Sequence, residues 1–537
     1  MTTPPPPPAP TPRPGPPGPP DIVDDRVRTD VVVVGAGVAG LYAAARLPDH
    51  LDVVVVDKGV PGGDSGSSPW AQGGLAVAIG ADDSPQLHAQ DTRLAGDGLC
   101  DPVAVDLLTR EAPGHVRELL RMGAEFDRVA GELGSHDPRH LDLAREGGQR
   151  VPRSVHRADA TGAELVRVLR AAAATKVSRL PGIVLSLARD GAHRVTGLWV
   201  LVEGRIVAVE ARAVLLATGG CGGLFAATTN PAHATGDGVS LALGVGAAVR
   251  DLEFVQFHPT GLAVAGTWRF LLTEALRGAG ATLHDADGKR FLLDRHPDAE
   301  LAPRHVVAKA ILDQDGGTAW LDATHLSEQQ FAHEFPTVLG GARRYGFDLA
   351  TERVPVTPAA HYQVGGVRTD LDGRTSVHGL YAAGEVASTG IHGANRMAGN
   401  SLTEALVFGA RTAQAITADL PRRQGDLGAP PTAGAGNTSA TESLRTRLRE
   451  AMLTGAGPVR TEAGLAAVAS ELEELSAELG APGEHHDGVE LWHALRVSRL
   501  LVRAARLRTE SRGGHWRADH PASDPAWHQV HLEHVTG

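Results

Sequence analysis

From position 30 the chain reads DVVVVGAGVAGLYAAARL. Val31 to Val34 form a continuous β-branched run, the pattern of a strand buried on both faces. A glycine turn follows, and then apolar residues at helical spacing. LDVVVVDKG, beginning at Leu51, repeats the buried-strand pattern and ends at Asp57 and Lys58. Two further runs, ARAVLLATGGCGG (211–223) and TSVHGLYAAGEV (375–386), are again strands that end in glycine. Near the C-terminus the period becomes helical, over 441–454, 462–479 and 488–509, which predicts a small bundle. LGAPPTAGAGNTSA (427–440) before it has the composition of a flexible linker. The opening MTTPPPPPAPTPRPGPPGPP carries neither period and predicts a disordered, polyproline-like tail over 1–27.

The first turn has a chemistry. Gly35, Ala36, Gly37, Val38, Ala39 and Gly40 spell GxGxxG between a strand and a helix, the context in which that motif binds a dinucleotide. Gly35 permits the tight turn, Gly37 admits a pyrophosphate to the backbone, and Gly40 lets helix and strand pack closely. The helix N-terminus offers free N–H groups to phosphate. Asp57, about 20 residues on, suits a ribose hydroxyl. This unit alone does not separate NAD from FAD. GSSPWAQGG (66–74) and the late strand ending in Gly384 and Glu385 resemble FAD proteins, in which a late acidic residue reaches the ribityl chain. The expected fold class is therefore α/β. A discontinuous, Rossmann-like FAD-binding domain (28–251 and 362–426) holds an inserted α+β capping domain (252–361), and a C-terminal helical domain (441–537) follows.

Composition narrows the function. The net charge is -12, which argues against nucleic acid or an anionic membrane surface as the main partner. The two cysteines, Cys100 and Cys221, exclude a disulfide framework, a Cys-rich zinc site and an iron–sulfur cluster carried by this chain alone. No metal is expected, and a reducing cytoplasm is the natural compartment. No apolar run is long enough to span a bilayer, and the N-terminus lacks the form of a secretory signal.

The segment between the two halves of the dinucleotide domain concentrates polar groups at strand ends and turns. His258 precedes Pro259-Thr260, Thr273 and Glu274 follow an apolar pair, Arg304 follows Ala302-Pro303, and His361 opens a Tyr-Gln-Val-Gly-Gly turn. Arg396 lies in TGIHGANRMAGNSL (389–402), too polar and glycine-rich for core. Taken singly each has an ordinary structural reading: a satisfied buried histidine, a Glu274–Arg277 pair, a surface arginine. Together they supply good donors for carboxylate oxygens, each charge-assisted contact worth roughly 1.5–3 kcal/mol. Two carboxylates in a closed pocket cost several kcal/mol per ion unless each is paired, so two clamps point to a small dicarboxylic acid against a flavin.

The HPTG, TEALRG, HYxxGG and HGANRxxxNSL stretches, in that order, resemble the flavoprotein family of succinate dehydrogenase and fumarate reductase, from about Asp30 to the C-terminal segment. The resemblance implies that Arg396 and His361 hold one carboxylate, that His258 and Thr273 with Gln256 nearby hold the other, beside Glu274, and that Arg304 transfers a proton during fumarate reduction. It implies that Gly35 to Gly40, Asp57, Lys58, Ser67, Ser68, Ala71, Gln72, Gly73, Gly74, Asp237, Glu385, Ser401 and Leu402 line FAD. His305 follows Arg304 where many relatives have Asp, which bears on the tuning of Arg304. Respiratory members attach flavin through a His five residues before the Gln of AQGG. Ser67 stands there, so FAD is expected to be non-covalent. REGG (145–148) places Glu146 where a branch that oxidises L-aspartate has a glutamate near the substrate amine, and a carboxylate there would repel succinate. The implied reaction is L-aspartate to iminoaspartate, with O2 (giving H2O2) or fumarate as acceptor, feeding quinolinate synthase and NAD synthesis. A soluble fumarate reductase or succinate dehydrogenase subunit is the competing reading, opposed by Ser67 and Glu146. A non-catalytic FAD-binding redox sensor is opposed by the dicarboxylate set, and an NAD-dependent dehydrogenase by Gly384-Glu385.

Overall fold

The computed structural model describes residues 18–59, 66–129, 131, 132, 135, 137–266, 268–421, 427, 431, 440–482 and 485–535. The expected tail up to position 17 and most of the expected linker lie outside the described residues. Two edges of those expectations change. Arg26–Arg28 is a strand paired in parallel with Arg205–Glu210, so the chain is ordered before position 28; Arg26 and Arg28 both pair with Glu210 there. Leu427 is buried in one apolar cluster with Ile183, Trp199 and Ala208, so this point of the expected linker is packed on the fold.

Five parallel strands form the central sheet, in the order Leu380–Ala382, Ala213–Leu216, Val31–Val34, Val53–Asp57, Val177–Pro181. The valine runs are continuous because both faces are covered. Val32, Val34, Val54 and Val56 belong to one core, and Val31, Val33, Val53 and Val55 to another. Full burial of each such side chain is worth about 1.5–3 kcal/mol. The helices Val38–Arg46 and Asn400–Asp419 pack together on the second face.

A second, antiparallel sheet joins Val255–Leu262, Val354–Gln363, Ala319–Asp322 and Thr282–His284 in that order. It has its own core of Leu262, Phe270, Leu272, Leu283, Leu321 and Val356. This cap is fastened to the base by Asp159, whose carboxylate accepts the Thr337 and Val338 N–H groups at the start of the helix Pro336–Arg344, at 3.0 and 2.6 Å.

Helices Thr441–Ala456, Glu462–Leu479 and His486–Leu507 make the C-terminal bundle, and their leucines share the first core with the central sheet. Residues beyond them turn back onto loop 389–402, where the Gly514 N–H donates to the Ala394 carbonyl at 2.9 Å. Among the described residues no helix is long and apolar enough to cross a membrane.

The glycine turn shows why sequence and packing agree. Gly35 sits at φ +110, and a Cβ there would lie 2.2 Å from the Ala217 carbonyl oxygen. A Cβ on Gly40 would lie 2.1 Å from the Gly35 carbonyl oxygen. Gly40→Ala must therefore push the first helix off the sheet. We expect a loss of about 1–3 kcal/mol or more, read as a lower thermal midpoint together with weaker flavin retention; an unchanged midpoint would contradict this packing.

Candidate active site

One cavity of about 670 Å³ runs along the C-terminal ends of the parallel strands and under the cap. At its dinucleotide end the walls are Gly35 to Ala39, Asp57, Lys58, Ser67, Ser68, Ala71 to Gly74, Asp237 and Glu385. At its far end they are Glu146, His258, Thr273, Glu274, Arg304, His361, Arg396, Ser401 and Leu402. The structure thus gathers nearly all the residues singled out by sequence.

Two of them stand elsewhere. Gly40 is beneath the turn and acts in packing. Gln256 is behind the wall, and all its polar atoms are engaged by protein. Its Nε2 donates to Asn395 Oδ1 (2.8 Å) and the Arg396 carbonyl (2.7 Å), and its Oε1 accepts from Arg304 Nη1 (3.0 Å). It ties the two arginines together and has nothing left for a substrate carboxylate. Lys58 reaches the cavity, yet its ammonium donates to Asp237 (2.7 Å), Glu490 (2.8 Å) and Thr235 (3.0 Å). Its charge is answered within the protein, so it is not a free cation for phosphate. Asp57 accepts from Arg179 Nη2 and the Gly59 N–H, each at 3.0 Å.

The dinucleotide end fits FAD. Gly35 and Gly37 leave the cradle without side chains, and Ser68 Oγ accepts the Val38 N–H at the helix start, at 3.1 Å. Gln72 anchors its Nε2 on the Leu271 carbonyl while its Oε1 is buried with no hydrogen-bond partner among the described residues. Glu385 accepts the Gln363 N–H at 2.9 Å, and burial pushes its pKa up to about 7. Ser67 Oγ accepts from Asn230 Nδ2 at 3.1 Å.

The far end is a field of buried charge. Arg304 Nε donates to Glu274 Oε2 at 2.6 Å, and the other oxygen of Glu274 is 3.1 Å from Arg277. Burial alone would raise the Glu274 pKa, but Arg304 and Arg277 outweigh it and hold the carboxylate below its ordinary range. Glu274 lines the cavity as part of this chain of ions; an anion so placed orients Arg304 and cannot itself bind a carboxylate. Thr273 caps the short helix Glu274–Gly278. His258 and His361 face one another with ring centroids 5.0 Å apart. The Thr260 N–H donates to His258 Nδ1 at 3.2 Å, which leaves the ring proton on Nε2 as a donor. His361 Nδ1 is 2.8 Å from Thr229 Oγ1. Burial, then Arg304, lowers both histidines well below the usual value, so both rings are neutral.

Two groups there have no counter-ion among the described residues. Glu146, 2% exposed, accepts the Gly74 N–H at 3.1 Å and forms no ion pair. Burial, then the nearby Glu274, pushes its pKa up. Arg396, 4% exposed, donates to Ser401 Oγ at 3.1 Å and also forms no ion pair. Burial, then Arg304, lowers its pKa to about 10, so it stays charged at neutral pH.

Sequence reasoning missed several contributors. Thr229 orients His361, Tyr362 lies under Arg396, and Glu490 reaches Lys58 from the C-terminal bundle. Tyr362 adjoins a recognised motif residue and could have been weighed; Glu490, 432 positions from Lys58, has no local signal.

Comparison with known proteins agrees with this geometry. A family model described as "FAD binding domain" matches residues 30–402, and one described as "Fumarate reductase flavoprotein C-term" matches 445–536. The L-aspartate oxidase of Streptomyces coelicolor is 46% identical over 94% of this chain and 91% of its own. That of Caulobacter vibrioides is 46% identical over 92% and 94%. Among solved structures, an Escherichia coli quinol fumarate reductase chain superposes with a TM-score of 0.85 at 30% identity, covering 95% of this chain and 94% of that one.

The neutral histidines set a pH dependence. Their folded pKa lies below that of the unfolded chain, so the unfolded state takes up protons that the folded state refuses. This contribution is fully present above the ordinary histidine range and is lost as pH falls through it. Thermal unfolding followed from about pH 8 down to about pH 5.5 should show a falling midpoint, and His361→Gln should flatten that slope. An unchanged slope would contradict a neutral, buried His361.

Proposed function

The chain belongs to the L-aspartate oxidases, within the FAD-binding family of fumarate reductase flavoproteins, and from that premise we propose how its residues hold and turn over substrate. The enzyme oxidises L-aspartate to iminoaspartate with FAD. Bound FAD would supply the two-electron chemistry, held by Gly35 to Ala39, Ser67 to Gly74, Glu385, Ser401 and Leu402. The attachment is non-covalent: position 67 is a serine, already engaged by Asn230.

The observation that carries the reading is a pair of buried ionisable groups with no ion-pair partner among the described residues. Among the described residues Arg396 has no anion and Glu146 no cation paired with it, and both line one cavity. An amino dicarboxylate supplies what each lacks. We assign one substrate carboxylate to Arg396 and His361, and the other to His258 Nε2 and Thr273. The substrate ammonium is assigned to Glu146. Loss of the amine proton prepares nitrogen to form the imine as the α-carbon is oxidised, and Glu146, with its raised pKa, is placed to accept it. Arg304, oriented by Glu274 and Gln256, is the proton donor in the reverse sense, when fumarate is the acceptor. Burial of the whole set strengthens these contacts by excluding water.

Succinate carries no ammonium to pair with Glu146, so the site favours L-aspartate over it as the substrate to be oxidised. O2, giving H2O2, and fumarate are the proposed acceptors, and the product is assigned to quinolinate synthase in NAD synthesis. The free cysteines Cys100 and Cys221 suit a reducing cytoplasm.

Glu146→Gln tests the assignment. We expect kcat/KM for L-aspartate to fall by about a hundredfold or more, since removal of one partner of a buried charge pair costs roughly 3–5 kcal/mol. Fumarate reduction with an artificial donor should survive in the same variant, because fumarate has no ammonium. Equal losses in both reactions would contradict an ammonium site at Glu146.

A further inference from the structure

The cavity holds two buried arginines that are stabilised differently. Arg304 is paired with Glu274 at 2.6 Å. Arg396 has no carboxylate partner among the described residues, and its Nε is buried without a hydrogen bond. Its guanidinium carbon lies 4.7 Å from the centroid of the Tyr362 ring. Tyr362 is itself 6% exposed and firmly held. Its phenol donates to Glu404 Oε2 at 2.9 Å and lies 3.1 Å from His392 Nε2. Glu404 also accepts from Thr389 Oγ1 at 2.6 Å, with His392 Nε2 at 3.0 Å. Burial, then Glu404, raises the Tyr362 pKa well above its ordinary value, so the hydroxyl keeps its proton.

The difference has a physical rationale. A carboxylate beside Arg396 would occupy its N–H donors and repel an incoming carboxylate. An aromatic face attracts the cation through the ring quadrupole and leaves the guanidinium edge available. Donation of the phenol proton toward an anionic acceptor enriches the ring and strengthens that attraction. We infer that Tyr362, polarised by Glu404, is a positioning residue: a π support that keeps Arg396 charged, flat and free of a counter-ion so that its edge can take the substrate carboxylate. The inference rests on the reading of Arg396 as a carboxylate grip.

The test uses the FAD-loaded enzyme at matched flavin content. Succinate binding to the oxidised form is titrated by perturbation of the flavin spectrum, and KM and kcat are measured with L-aspartate. Tyr362→Leu should raise the succinate Kd and the aspartate KM roughly tenfold, the scale of a desolvated cation–π contact, with a smaller change in kcat. Tyr362→Phe, which keeps the ring, and Glu404→Gln, which removes the charge and keeps the shape, should each raise them only about twofold to fourfold. A rise in Kd in Glu404→Gln, where the ring and its packing stay in place, is the signature that a merely structural tyrosine would not give. An unchanged Kd in Tyr362→Leu, or equal losses in Leu and Phe, overturns the inference. If Tyr362→Leu does not retain FAD, Glu404→Gln decides, and an unchanged Kd there overturns it. Arg396→Lys separates the two levels: a rise in Kd with no effect at Tyr362 sinks the support alone, whereas no rise sinks the carboxylate grip itself.

Discussion

A buried guanidinium with no counter-ion among the described residues is the feature around which the site is built. Taking a charge out of water costs several kcal/mol even after relaxation, and Arg396 is 4% exposed. The surroundings offset that cost without spending the donor edge. Tyr362 lies against one face and Ser401 takes one N–H. The loop that carries Arg396 is fixed by close backbone contacts. Gly393 is at φ +55, and a Cβ on Gly513 would lie 2.4 Å from the Ala394 carbonyl oxygen. Side chains at those positions would move the arginine. The C-terminal strap thus shapes the cavity from behind, through a buried network in which Arg508 pairs with Glu253 at 2.6 Å and with Glu510 at 3.1 Å.

The site is assembled from two bodies of the fold. The cap contributes His258, Thr273 and Arg304; the base contributes Glu146 and Arg396. Gln256 spans the two sets, and Asp159 fastens the cap through the N–H groups of Thr337 and Val338. Selection of an amino dicarboxylate then follows from signs and positions of charge. In the proposed reading, one cation and two neutral histidines are assigned to carboxylates, and one buried carboxylate with a raised pKa is assigned to an ammonium.

Much of this was legible in the residues because local chemistry and global packing coincide. The turn from Gly35 to Gly40 announces its strand, helix and ligand together, and the valine runs announce a sheet covered on both faces. The polar residues of HPTG, TEALRG and HYQVGG were legible as a set, although His258 and His361 lie within the strands Val255–Leu262 and Val354–Gln363 and not at turns, while Thr273 stands at a helix start. What was not legible depends on contacts between distant positions. Gln256 looks like a ligand group until its three partners are seen, all within the protein. Lys58 looks like a free cation lining FAD until Glu490 and Asp237 are found on its ammonium. Tyr362 stands within HYQVGG, but nothing local signals that its ring lies against the guanidinium of Arg396.

The most direct measurement is anaerobic bleaching of the flavin by L-aspartate and by succinate, side by side on the purified, FAD-loaded enzyme. Rapid bleaching by L-aspartate alone, with peroxide formed on admission of air, is the result expected of a cavity that pairs Arg396 with a carboxylate and Glu146 with an ammonium. Bleaching by succinate but not by L-aspartate would contradict the placement of an ammonium at Glu146, and with it the central claim.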